Sequence, residues 1–211
     1  MSHKNFIRKV LVLIGLFIQL TLVIAMAQET QLAKGDSKLI YKKGNTIFST
    51  HELRFALKVP EGYRSSDILH YYPDYHGHPF EVSAISVFND RSILMLHAER
   101  VSDQSGFLEY SYLEKDTLSG LEFYMQDRCF EVTEELLHRA VDLQFFSEAG
   151  YIYGPALYIR QYFITSDDGN AEVVLGYAEN ACDCDDTTIN EPFKKFFIQR
   201  LREKVSIEDL N

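Results

Sequence analysis

ALYIRQYFITSDDGNAEVVLGYAE, residues 156–179, reads as two strands around a tight turn. Ala156 to Thr165 and Ala171 to Glu179 are rich in β-branched and aromatic residues, which fit a pleated, half-buried surface. Between them Ser166-Asp167-Asp168-Gly169-Asn170 contains Asp-Gly, the pair that best accepts the positive φ of a hairpin turn.

Helical patterns flank this hairpin on both sides. Upstream, Thr133 offers a capping hydroxyl, and Glu134 and Glu135 sit at the positive end of a helix dipole. Leu136, Leu137, Ala140, Val141 and Gln144 to Phe145 are spaced as one face, and Gly150 closes the segment. Downstream, a helix is expected from about Asn190, with Pro192 in its first turn. Phe193, Phe196, Phe197, Leu201 and Val205 should form the stripe that lies on the sheet.

Further out, Val82 to Phe88 and Ser92 to Arg100 form a second hairpin about Asn89-Asp90-Arg91. Ile93 to Leu96 is apolar on both faces, which places it centrally in a sheet. Leu53 to Val59 alternates with period two, and Thr46 to Ser49 reads as a short strand. A strand is expected near Phe107 to Leu113, and Tyr63 to Pro79 reads as a loop. The expectation is an α+β fold in which an antiparallel sheet of about six strands, built from hairpins, is packed by two amphipathic helices.

The first 27 residues read as a secretory signal peptide. Lys4, Arg8 and Lys9 precede the apolar run Val10 to Ile24, and Ala25-Met26-Ala27 is an A-x-A cleavage pattern. Residues 28–45 read as a polar leader and 46–211 as a single domain, 184 residues remaining after cleavage of 27 from 211. The expected location is periplasmic or secreted, without stable membrane insertion after cleavage.

Loss of the three signal-segment bases leaves 18 basic against 31 acidic residues, a net charge of −13. That excess repels phosphate backbones, so nucleic acid is not an expected ligand, and it favours a basic protein partner. Of the three cysteines, Cys182 and Cys184 are too close in sequence for an easy bridge, so Cys129 is expected to pair with Cys182 or Cys184.

The layout resembles the PsbP-like group, which includes the extrinsic photosystem proteins and the DcrB-like envelope proteins. The resemblance rests on the turn Val59-Pro60-Glu61-Gly62-Tyr63, the mid-chain helix ending at Gly150, the Gly154-Pro155-Ala156 lead-in to a long hairpin, and the closing Phe-rich helix. It covers roughly Leu53 to Val205. It implies a non-enzymatic accessory or binding module in an exported compartment and carries no catalytic residues onto this chain.

The sequence holds no nucleophile elbow, phosphate-binding glycine loop or Rossmann pattern. His51-Glu52 begins like a zinc-protease motif, but Phe55 stands where the second histidine belongs. No enzymatic activity and no cofactor are therefore expected. His76 and His78, two apart, are the metal candidates, with Asp74 or His70 as a third ligand. The acidic-aromatic stretch Asp103 to Asp127, with Glu109, Tyr110, Tyr112, Glu114 and Asp116, is the expected partner face, since aromatic area and carboxylates together suit a basic protein. The leading expectation is an exported binding protein of the immunity-inhibitor or assembly-factor type. The alternative is a small-ligand or metal-binding envelope protein.

Overall fold

The computed structural model describes residues 39–106 and 108–210. The expected signal segment and the leader up to Lys38 lie outside the described residues. The chain opens with β1 (Ile40–Lys43), β2 (Thr46–Ser49) and β3 (Phe55–Lys58), followed by the short strands β4 (Arg64–Ser65), β5 (Leu69–Tyr71) and β6 (Asp74–Tyr75). The hairpin β7 (His78–Phe88) and β8 (Ser92–Val101) comes next, then β9 (Glu114–Leu118) and β10 (Leu121–Glu131). Helices α1 (Glu134–Arg139) and α2 (Val141–Glu148) lead to β11 (Ala156–Thr165) and β12 (Ala171–Ala181), and α3 (Glu191–Lys204) and β13 (Ser206–Asp209) end the fold.

Every strand pairing is antiparallel. The main sheet runs β4-β7-β8-β12-β11-β10-β9, with β5 and β6 also against β7, and a four-stranded sheet runs β1-β2-β3-β13. One face of the main sheet presents Leu94, Leu96, Val173, Leu175, Tyr158 and Tyr162, which pack with Phe55 and Leu57 of the small sheet and with Phe197 and Leu201 of α3. The opposite face presents Ile93, Met95, Leu157, Ile159 and Ala178, covered by Phe146 of α2 and by Tyr71 and Tyr151. Because both faces are covered, the central strands are apolar at successive positions instead of alternating.

Several expectations need correction, among them the loop reading of Tyr63 to Pro79, which carries β4, β5 and β6. The strands number thirteen among the described residues, more than the six or so expected, and β1 lies inside the segment read as leader. The strand expected at Phe107 to Leu113 is absent among the described residues; β9 and β10 follow it instead, joined through Ser119 and Gly120, both at positive φ as a two-residue hairpin turn requires. β10 is hard to read from sequence because Asp127 interrupts its apolar alternation, and that charge is met by Arg160 on the next strand.

The mid-chain helix is two helices. Thr133 caps α1, its Oγ1 accepting the Leu136 N–H at 3.1 Å, but Ala140 is extended at φ −94° and ψ 101° and starts a new helix. Ala140 is buried, so packing overrides a good helix former. In α3, Asn190 caps the Phe193 N–H at 3.0 Å, and Phe197 and Leu201 are fully buried, whereas Phe196 is 57% exposed and lies off the stripe.

Candidate functional site

Between the main sheet and α2 lies a cavity of about 280 Å³, closed over by the Tyr71–His76 strands and by the 108–112 loop. Its floor is four strands wide. The register of β8, β12, β11 and β10 places His97 beside Val174, Phe163 and Tyr124 in one row, and Met95 beside Gly176, Gln161 and Gln126 in the next. Gly176 stands mid-strand at the centre of this floor. A glycine there weakens a strand, and the space its missing side chain leaves is bordered by the ends of Ile159 and Met95. A Cβ at Gly176 would meet Ile159 Cδ1 and Met95 Cε, each at 3.2 Å.

The 108–112 loop is held in place by the β11–β12 turn. Leu108 N donates to the Gly169 carbonyl at 3.1 Å, and Gly106 N donates to Asn170 Oδ1 at 2.8 Å. Gly106 is at φ +67°, and a Cβ on it would lie 2.9 Å from the Asp168 carbonyl, so both conformation and space require glycine. Tyr110 is thereby laid flat on Phe163, with ring centroids 4.4 Å apart, and its hydroxyl donates to Glu172 Oε2 at 2.8 Å.

One end of the cavity is acidic. Glu99 and Glu172 are cross-strand partners, and Glu172 is 1% exposed. His97 precedes Glu99 by two residues on the same face, with Nδ1 3.3 Å from Glu99 Oε1. The break at Ala140 puts Asp142 in the first turn of α2, where its Oδ2 lies 3.8 Å from His97 Nε2. Burial disfavours a charged imidazole, but the hydrogen bond to Glu99 and the carboxylates of Asp142 and Glu99 outweigh it and raise the His97 pKa. Burial, and then the Glu99 charge, push Glu172 well above the ordinary carboxylate range, and the Tyr110 hydrogen bond does not offset them.

These shifts fix the sign of a pH effect. Folded Glu172 keeps a proton that the unfolded chain releases at the ordinary carboxylate pKa. Above that value the folded state binds more protons, and stability falls as pH rises. His97 acts in the same direction, since its contribution is present below the ordinary imidazole pKa and is lost through its raised folded value. Glu172→Gln should therefore flatten the decline of stability as pH rises above the ordinary carboxylate range, by at most about 1.4 kcal/mol per pH unit. Parallel urea titrations of both proteins check this, and an unchanged slope would refute it.

The other end is basic. Arg128 of β10 is half-buried, its Nη2 donates to Gln126 Oε1 at 2.9 Å, and no carboxylate pairs with it among the described residues. Burial lowers its pKa, as expected of a partly desolvated cation, and the nearby phenols of Tyr112 and Tyr110 oppose this.

The residues expected from sequence are distributed differently. His76 and Gly77, both at positive φ, form the β6–β7 turn, Asp74 Oδ1 accepts the Gly77 N–H at 2.7 Å, and His76 reaches the cavity wall. His78 faces Ser105 Oγ at 2.7 Å, and His70 is buried between Ser83 and Tyr72. These residues do not converge, and among the described residues no group of three or more His, Cys, Asp or Glu could hold a metal ion. Tyr110 is buried in the cavity wall, and Asp116 holds Arg160, Arg202 and Tyr162. Glu109, Tyr112 and Glu114 remain exposed. Cys129 is bonded to Cys184 with Cα atoms 5.5 Å apart, leaving Cys182 free and exposed.

His97, Glu99, Asp142, Glu172, Arg128 and Gly176 were not singled out by sequence. For Glu99 and Glu172 a signal existed, since each is an ionisable residue within a largely apolar strand. No helix among the described residues is long and apolar enough to cross a membrane. No protein-family model matches the chain, and neither do any curated protein or any solved structure.

Proposed function

We propose that this is an exported, non-enzymatic protein that binds a small molecule in the cavity between the main sheet and α2. The observation that carries the reading is the floor itself. A glycine sits mid-strand beneath a chamber of about 280 Å³ whose wall is mostly aromatic and aliphatic, with a few convergent charged groups. Among the described residues lining it there is no Ser, Thr, Cys or Lys, so a covalent mechanism through those side chains has no nucleophile there. The disulfide suits an oxidising compartment, and export and a binding role agree with what the PsbP-like resemblance implies. The acidic exterior then serves solubility first, since two residues of the expected partner face, Tyr110 and Asp116, are committed to internal contacts.

The test is a thermal-shift and native mass-spectrometry screen of small metabolites against wild type and Gly176→Val. The added side chain narrows the floor, at an overpacking cost of about 1–3 kcal/mol. A ligand at about 100 times its Kd should stabilise wild type by about 2.7 kcal/mol. In a domain of this size that is a rise in melting temperature of roughly 5–10 °C. The variant should show little or no rise. Equal shifts in both proteins, or none in either, would end the cavity reading.

A further inference from the structure

The two ends of the cavity carry opposite charge, and neither is fully matched by protein. At the acidic end, Glu99 and Asp142 both face the imidazole of His97, and Glu172 stands opposite Glu99 across the two strands. Glu172 uses Oε2 for the Tyr110 hydroxyl, and its other oxygen has no hydrogen-bond partner among the described residues although the side chain is almost wholly buried. At the other end, Arg128 has, among the described residues, the neutral amide of Gln126 as its hydrogen-bond partner. Half-buried guanidinium groups are ordinarily matched by a carboxylate or phosphate, and buried carboxylates by a cation or, as Glu172 is without ligand, by a retained proton that a bound cation would displace.

The sheet register sets the spacing between the ends. Arg128 pairs with Ile159, Ile159 with Ala178, and Ala178 lies six residues along β12 from Glu172. Two inter-strand steps of about 4.8 Å and six residues of about 3.3 Å rise put the two Cα atoms on the order of 20 Å apart. Both side chains line the same chamber, and the Tyr110 phenol interacts with both. The gap left between the charged groups exceeds the ammonium-to-carboxylate distance of one α-amino acid and suits two or three extended residues at about 3.5 Å each.

Resting on the cavity reading above, we infer that the ligand is a linear zwitterion of di- or tripeptide length, its ammonium held at Glu99 and Glu172 and its carboxylate at Arg128. The apolar wall between the ends, including Met95, Ile159, Phe163 and Leu143, and the polar Gln126 and Gln161, suits a backbone carrying an apolar side chain. An ω-amino acid of equal length shares this end-group chemistry.

Isothermal titration calorimetry on the full domain tests this. The probes are Ala-Phe-Ala, its N-acetyl form, its C-terminal amide, free phenylalanine, and octanoic acid carrying an amine on its far carbon. Ala-Phe-Ala should bind, and blocking either terminus should weaken it at least about tenfold, the loss expected for one charged hydrogen-bonding group. Free phenylalanine should bind more weakly than the tripeptide. In Arg128→Gln the amide should bind as well as the acid. In the double variant Glu99→Gln, Glu172→Gln the acetylated form should bind as well as the free amine. Because each comparison is made within one protein, a change in stability does not imitate the result, and circular dichroism confirms folding. The amino-octanoate binding as tightly as the tripeptide would support the zwitterion and show that end-to-end length is read without the peptide groups. Blocked forms binding as tightly as the free tripeptide would overturn it. So would a neutral or singly charged metabolite that binds wild type but not Gly176→Val, in which case the cavity reading stands. No binding by any probe or metabolite would overturn both.

Discussion

Replacing Arg160 with Met should destabilise the fold by about 3–5 kcal/mol, the range for removing one partner of a buried ion pair. The side chain is 8% exposed and forms a fork on Asp127, with Nε to Oδ1 and Nη2 to Oδ2 both at 2.6 Å. Nη1 adds a bond to Asp116 Oδ2 at 3.2 Å, and Asp116 in turn accepts from Tyr162 at 3.0 Å and Arg202 at 3.1 Å. One guanidinium thus links β9, β10 and β11, and through Asp116 it reaches α3. Burial disfavours its charge, but the hydrogen bonds and charge of Asp127 more than offset this and hold its pKa above the ordinary arginine value. Met has similar bulk, so the loss should come from Asp127 left without its fork and from Asp116 losing one of its three donors, and not from a void. The expected signature is non-additivity. Arg160→Met combined with Asp127→Asn should cost less than the sum of the single changes, because the second removes the charge that the first strands. Urea denaturation of the three variants measures this. A cost under about 1 kcal/mol for Arg160→Met would show that the network contributes little to stability.

That network also explains why β10 was hidden in the sequence. Leu121, Phe123, Met125 and Cys129 alternate, but Asp127 stands where a fifth apolar residue belongs. Its partner is 33 residues away. Where the information is local, sequence and fold agree. The Asp-Gly turn placed β11 and β12, Asn89-Asp90-Arg91 placed β7 and β8, and Asn190 with Pro192 placed the start of α3. Where tertiary contacts decide, they part. Ala140 has high helical propensity, yet it is extended and buried between α1 and α2, and that break brings Asp142 toward His97.

The site is a sharper case of the same division. Glu99 and Glu172 were visible as charges within apolar strands, but only the β8–β12 register sets them opposite each other. Tyr110 sits among acids and reads as surface. It is buried because Gly106 and Leu108 are fastened to the Gly169 turn and lay the 108–112 loop over the sheet. The acidic-aromatic stretch therefore supplies one wall of the cavity through Glu109, Tyr110 and Tyr112, and an outward carboxylate through Glu114.

Changing Cys129 and Cys184 together to Ser should cost about 4 kcal/mol of stability, from the chain-entropy model for a loop of the 55-residue separation seen here. The loop contains α1, α2, β11 and β12, which supply Asp142, Gln161, Glu172 and Gly176 to the cavity. The bond ties β10 to the segment just past β12, on either side of β11, so the strands it constrains are those that form the floor. Two consequences separate this from simple loss of packing. Wild type treated with a thiol reductant should fall to the stability of the double variant, and the variant should not respond to reductant at all. Cys182→Ser should stay within about 0.5 kcal/mol of wild type, since an exposed, unbonded thiol outside the core contributes little. If the double variant lies within about 1 kcal/mol of oxidised wild type, the cross-link does not constrain the unfolded chain, and the case for an oxidising compartment loses its structural support.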